Sequence, residues 1–154
     1  MSTTAVRVVT VRRRLTAVVA QTTTWSEFPS LWGQLLEEVY GFVRGRPALA
    51  TGTGGDMWQN VMLYKDQRPD VEVGVLVSTP FEPEGRVIAS ELPGGEVATA
   101  THRGGYERLG VTHGVVRDYV AGQDRVLAGP CWEIYGHWRA DPSELETEIF
   151  WLLH

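Results

Sequence analysis

Apolar positions along this chain follow two periods, and the switches between them outline a fold. Ala17-Val18-Val19-Ala20-Gln21 alternates and is β-branched, as a half-buried strand requires. Slid by 81 residues, Ala98-Thr99-Ala100-Thr101-His102 falls on the same pattern. Each stretch runs into a small-residue turn, then an aromatic and a polar residue: Trp25-Ser26 and Tyr106-Glu107. A helical period follows. Phe28, Leu31, Trp32, Leu35, Leu36 and Val39 form one apolar stripe, which predicts a helix of about five turns. Ser26 reads as its N-cap, Pro29 fits the first turn, and Gly45 and Pro47 end it. Leu109, Thr112, His113, Val116 and Val120 take the matching positions in the second half, where Gly122 closes the helix.

After each helix the strand period returns, over residues 57–64 and 71–78 and then 131–138 and 147–153. Short strands are also predicted at 6–11 and 86–91, the latter followed by a turn at Leu92-Pro93-Gly94-Gly95. The order strand-helix-strand-strand thus occurs twice, over about 6–79 and 86–153. The expected fold class is α+β, with one domain over 1–154. Half a chain is too small to bury its own sheet face, so the halves are expected to share one antiparallel sheet. Two helices would lie side by side on one face, with a ligand groove between them.

Length and composition narrow the function. A chain of 154 residues with 43% hydrophobic and 21% charged residues can build a core without staples. Fourteen basic against 19 acidic residues leave a net charge of −5, which argues against direct nucleic-acid binding. No apolar run approaches the ~20 residues needed to span a bilayer, and no signal-peptide pattern opens the chain, so a cytoplasmic location is expected. Cys131 is the single cysteine, which excludes an internal disulfide and a Cys-rich zinc site. No His/carboxylate cluster suggests a metal, and no motif suggests a cofactor: Gly52-Thr53-Gly54-Gly55 lacks the Lys of a phosphate-binding loop. The unusual figure is aromatic, with six Trp, five Tyr and four Phe. Such residues build cores, but also pockets for flat or cationic ligands.

Three stretches of the second half resemble the GyrI-like small-molecule-binding family, the effector-binding domain of bacterial multidrug-responsive regulators. They are Leu92-Pro93-Gly94-Gly95-Glu96-Val97-Ala98 running on to residues 102–109, Gly129-Pro130-Cys131-Trp132-Glu133-Ile134-Tyr135, and Asp141-Pro142 with residues 145–150. In the first half Asp70-Val71-Glu72-Val73-Gly74-Val75 is similar to the family's matching strand. The resemblance implies a duplicated fold and a central pocket for hydrophobic, often aromatic or cationic, compounds. It also implies that Glu133 lies in the pocket. Gly105 and Phe150 depart from the family pattern, where Pro and Tyr are usual.

Strand alternation places Cys131, Glu133, Tyr135 and His137 on one face, so Tyr135 shares the side assigned to Glu133. Trp25 and Tyr106, at matching turns, are candidate walls at opposite ends of the pocket. Trp32 reads first as core and second as groove lining. His113 matches it in the repeat and reads first as a core histidine. Phe150 completes the candidate ligand-binding set of Glu133, Tyr135, Trp25, Trp32, Tyr106, His113 and Phe150. The leading expectation is a free-standing domain that binds a hydrophobic aromatic antibiotic or toxin for self-protection. Oligomeric state is left open, with a homodimer allowed. The alternative is a family hydrolase that opens cyclopropane rings of DNA-alkylating natural products, with Glu133 activating water and Tyr135 assisting. A further alternative is a protein inhibitor of DNA gyrase.

Overall fold

The computed structural model describes residues 5–154, so the first four residues of the expected domain lie outside it. The predicted repeat is present. In the first half β1 (Arg7–Val11) and β2 (Arg14–Thr22) precede α1 (Phe28–Val43), and β3 (Asn60–Tyr64) and β4 (Asp70–Leu76) follow it. In the second, β5 (Val87–Leu92) and β6 (Gly95–Arg103) precede α2 (Leu109–Gly122), with β7 (Leu127–Tyr135) and β8 (Glu146–Leu153) after it. β2 and β6 are nine residues each and begin 81 residues apart, as do the two helices. The phase is lost after the helices, because the first half carries extra turns at Pro47–Leu49 and Gly54–Asp56.

All eight strands form one antiparallel sheet in the order β1-β6-β8-β7-β3-β4-β2-β5. β3 and β7, one from each half, join at the centre. β1 is one edge of this order and β2 lies beside the other edge, yet only Arg12 and Arg13 separate them. The sheet must therefore curl until its two ends meet. The pairing shows how. Val11 faces Gly95 and Arg14 faces Leu92, so one register runs through both strand pairs. β1 and β2 are two arms of one bent strand, and β5 and β6 are two arms of another. The expected turn at Leu92-Pro93-Gly94-Gly95 is thus a bend and not a reversal. Gly94 is required there, since a Cβ would sit 2.9 Å from the Arg13 backbone nitrogen.

Curling gives the sheet two cores. On the front, α1 packs on β2 and β4 while α2 packs on β6 and β8, burying Leu35, Val39, Val116 and Val120 against Val19, Val73, Ala98 and Ile149. On the back, the sheet closes over Leu63, Leu92, Val97, Trp132, Ile134 and Phe150, and the Trp132 and Phe150 rings stack with centroids 5.6 Å apart. Each fully buried side chain of this size contributes about 1.5–3 kcal/mol. Two local expectations need correction. Ser26 does not cap α1. The N-cap residue is Glu27, whose backbone N–H donates to Thr24 Oγ1 at 3.2 Å, so Thr24 starts the turn. The strand predicted at 131–138 ends at Tyr135, beyond which Gly136 to Trp138 leave the sheet.

Candidate functional site

The front face leaves a cavity of about 1140 Å³ between the helices, above β3 and β7. That is slightly above the usual range of small-molecule pockets, ~300–1,000 Å³. Its floor follows from the β3–β7 register. Met62 faces Glu133 directly, and Tyr64 and Tyr135 end their respective strands. In an antiparallel pair of equivalent strands, the two-fold relation passes through the facing pair. Met62 and Glu133 are therefore equivalent positions, as are Tyr64 and Tyr135. Period two turns Met62, Tyr64, Cys131, Glu133 and Tyr135 toward the cavity and leaves Trp132 and Ile134 behind.

Both tyrosines converge on the single carboxylate. Tyr64 Oη donates to Glu133 Oε1 at 3.0 Å and Tyr135 Oη donates to the same oxygen at 2.5 Å. His113 Nε2 lies 2.7 Å from Oε2. Trp151 Nε1 lies 3.0 Å from His113 Nδ1. An indole N–H only donates, so Nδ1 must accept and Nε2 carries the proton. In that tautomer the imidazole is neutral and donates to Oε2. Glu133, 3% exposed, is thus held by three neutral donors. Burial, and then the charge of Glu133, push the phenols of Tyr64 and Tyr135 well above their ordinary value. The same two causes push the Cys131 thiol up to about 12, so it is no nucleophile at neutral pH.

Aromatic walls rise in two-fold pairs. Trp25 packs on Tyr64 with centroids 5.4 Å apart, and Tyr106 packs on Tyr135 at 5.5 Å. Trp25 is fixed from behind by its indole N–H, which donates to the Gln67 carbonyl. Trp32 and His113 are the matching helix positions, and both line the cavity. Trp25, Trp32 and Tyr106 are 50%, 41% and 43% exposed. Large apolar surface left open around a buried carboxylate suits a ligand better than it suits a core. Beyond the end of β7, His137 approaches Asp56 at 3.3 Å, beside Trp58 and Trp138.

Six of the seven candidate residues thus surround one cavity: Glu133, Tyr135, Trp25, Trp32, Tyr106 and His113. Phe150 does not. It points to the back core, and its neighbour Trp151 lines the cavity instead. Neighbouring strand residues face opposite ways, so an error of one position moves the side chain through the sheet. His102, in the second strand of the repeat, is buried and bonded to Thr112 Oγ1 and the Gly105 carbonyl. The sequence reading also missed Tyr64 and Trp151, the second phenol and the residue whose indole N–H donates to His113 Nδ1. Among the described residues no group of three or more His, Cys, Asp or Glu is placed to hold a metal ion. No helix among them is long and apolar enough to cross a membrane.

Fold and cavity together define a class: a duplicated α+β domain with one large aromatic cleft, suited to a small organic molecule. The chain belongs to the GyrI-like family, since the model of the GyrI-like small molecule binding domain matches residues 4–154. Solved structures agree on the fold. The C-terminal domain of EcmrR is 21% identical, with a TM-score of 0.77 and 98% of each chain covered. EcmrR in its complex with DNA gives a TM-score of 0.78 at 20% identity, and this chain spans 57% of that one. The protein SAV2435, solved bound to tetraphenylphosphonium, is 12% identical with a TM-score of 0.69, covering 97% of this chain and 94% of that one. A hydrolase from Listeria innocua is 11% identical with a TM-score of 0.59, covering 97% and 91%. No curated protein matches the sequence.

Proposed function

We propose that this chain binds hydrophobic aromatic cations in the cavity and sequesters them, as a protection against antibiotic or toxic compounds. One observation carries this reading: a buried carboxylate at the cavity floor, hydrogen-bonded only by neutral groups. Three donors offset much of the cost of burying Glu133 but leave its charge uncompensated. A ligand cation supplies that charge, and Trp and Tyr faces bind it further by cation–π attraction. The tetraphenylphosphonium held by SAV2435 is a compound of this class. A water-activating role fits the geometry less well, because three of the roughly four lone-pair sites of Glu133 are already engaged.

Five of the six tryptophans line the cavity, so binding reports itself. Titration with tetraphenylphosphonium is expected to quench tryptophan fluorescence saturably, and Glu133→Gln is expected to weaken binding at least tenfold. Equal affinity in both proteins overturns the counter-ion reading. Mass spectrometry of bound cyclopropane-bearing compounds separates sequestration from hydrolysis: more than one equivalent of ring-opened product per protein replaces this proposal with the enzymatic one.

A further inference from the structure

Arg117 breaks the two-fold pattern of the cavity. By the repeat its position corresponds to Leu36, an apolar residue packed against the front core. Its guanidinium lies over the Trp151 ring, 5.5 Å from the centroid. It folds back along α2, since a Cβ at Gly114, one turn earlier, would lie 3.8 Å from its Nη2. It joins no ion pair among the described residues. The other acids of the cavity lining are accounted for. Asp56 is beside His137, and Asp66 is held by Arg68 and by the backbone N–H groups of Arg68 and Asp70. Arg117 is the only arginine or lysine in the described lining, and no protein carboxylate pairs with it.

Its place along the groove is also defined. Trp151, over which Arg117 lies, faces Cys131 across the β7–β8 pair, and Cys131 faces Tyr64 across the β3–β7 pair. The Asp56–His137 contact lies past the opposite end of β7, beyond Tyr135. The cleft therefore holds the Arg117 guanidinium toward one end, where Asp66 is already held by Arg68, the Glu133 carboxylate at its centre, and the Asp56–His137 contact toward the other.

We propose that Arg117 is a specificity determinant that selects aromatic zwitterions, compounds carrying a carboxylate or similar anion beside a cationic aromatic system, over plain lipophilic cations. This rests on the counter-ion role of Glu133 proposed above. A guanidinium braced on an aromatic face is preset to receive a carboxylate through two parallel N–H bonds. Because Arg117 is exposed, solvent screens the gain, and the expected preference is about three- to tenfold.

The test uses rhodamine B and its ethyl ester, which share one xanthene cation and differ by a single carboxylate charge. Wild type is expected to bind the free acid three- to tenfold tighter than the ester. Arg117→Leu, which installs the residue of the first half, is expected to abolish that preference and to bind tetraphenylphosphonium at least as tightly as wild type. An unchanged acid-to-ester ratio in Arg117→Leu overturns the inference. Glu133→Gln is the separating arm. If it weakens the ester while Arg117→Leu changes nothing, the counter-ion reading stands and the zwitterion preference falls. If it leaves the ester unaffected, or if no dye binds at all, both fall.

Discussion

At the scale of single residues, Glu133 is defined by its donors, and each donor is separable. Tyr64→Phe and Tyr135→Phe each remove one hydrogen bond to a buried anion and leave the packing nearly intact. Each is expected to cost about 1–3 kcal/mol of stability, measured by urea unfolding. Both donate to the same oxygen, so the double substitution is expected to depart from additivity. Trp151→Phe acts one step further out. It removes the hydrogen bond to His113 Nδ1 while Glu133 still holds the proton on Nε2, so nitrogen NMR is expected to show the Nε2–H tautomer in both proteins, with the Nδ1 resonance shifted in the variant. Strand alternation alone made Glu133 and Tyr135 neighbours on one face. Tyr64 escaped notice because the turns at Pro47–Leu49 and Gly54–Asp56 shift the repeat after the helix, hiding its match to Tyr135. Trp151 is hidden because Phe150 and Trp151 are adjacent aromatics on one strand, and local sequence does not say which of the two faces inward. The pairing of β8 with β6 and β7 decides that question, and no local pattern does.

Among the elements, β2, β6 and the two helices were legible because each carries its own period. The bends were not. A Pro-Gly-Gly stretch reads as a reversal whether the chain turns back or merely bends, and only the partner strands distinguish the two. Here Val11–Gly95 and Arg14–Leu92 hold one register through the bend, so reversal is excluded. Close strand approach is sharpest at Gly74 in β4, where a Cβ would lie 1.9 Å from the Ala17 carbonyl oxygen. Neither partner is a flexible side-chain end, so the backbones of β2 and β4 must separate. Gly74→Ala is expected to destabilise the protein by about 3 kcal/mol, read from the urea midpoint. A conservative change at the exposed Gly33 of α1, where an added Cβ meets nothing within 4 Å, is expected to leave stability unchanged or raised by about 1 kcal/mol.

For the whole molecule, the buried acids that stay protonated make stability depend on alkaline pH. Cys131 titrates near 9 when unperturbed and is pushed up to about 12 by burial and by Glu133, and both cavity phenols are raised as well. Between the unfolded and folded values the native state binds more protons than the unfolded chain. Stability is therefore fully present below about pH 9 and falls as pH rises from 9 toward 12. Urea midpoints at pH 8, 9, 10 and 11 are expected to decline over that window, and Cys131→Val is expected to flatten its first part. A flat profile to pH 11 would contradict the burial of these groups.

The facing of Met62 and Glu133 has a consequence for how such a site can arise. Two separate half-length chains related by true symmetry must repeat every residue. Glutamate at this position would then face glutamate across the axis, two like charges on directly opposed strand residues. Methionine at both would supply no charge at all. A lone anion beside a two-fold axis, with a phenol reaching it from either side, is closed to two identical chains and open to the two halves of one polypeptide, which are free to diverge. Covalent fusion is what lets this cavity be symmetric in its walls and single in its charge.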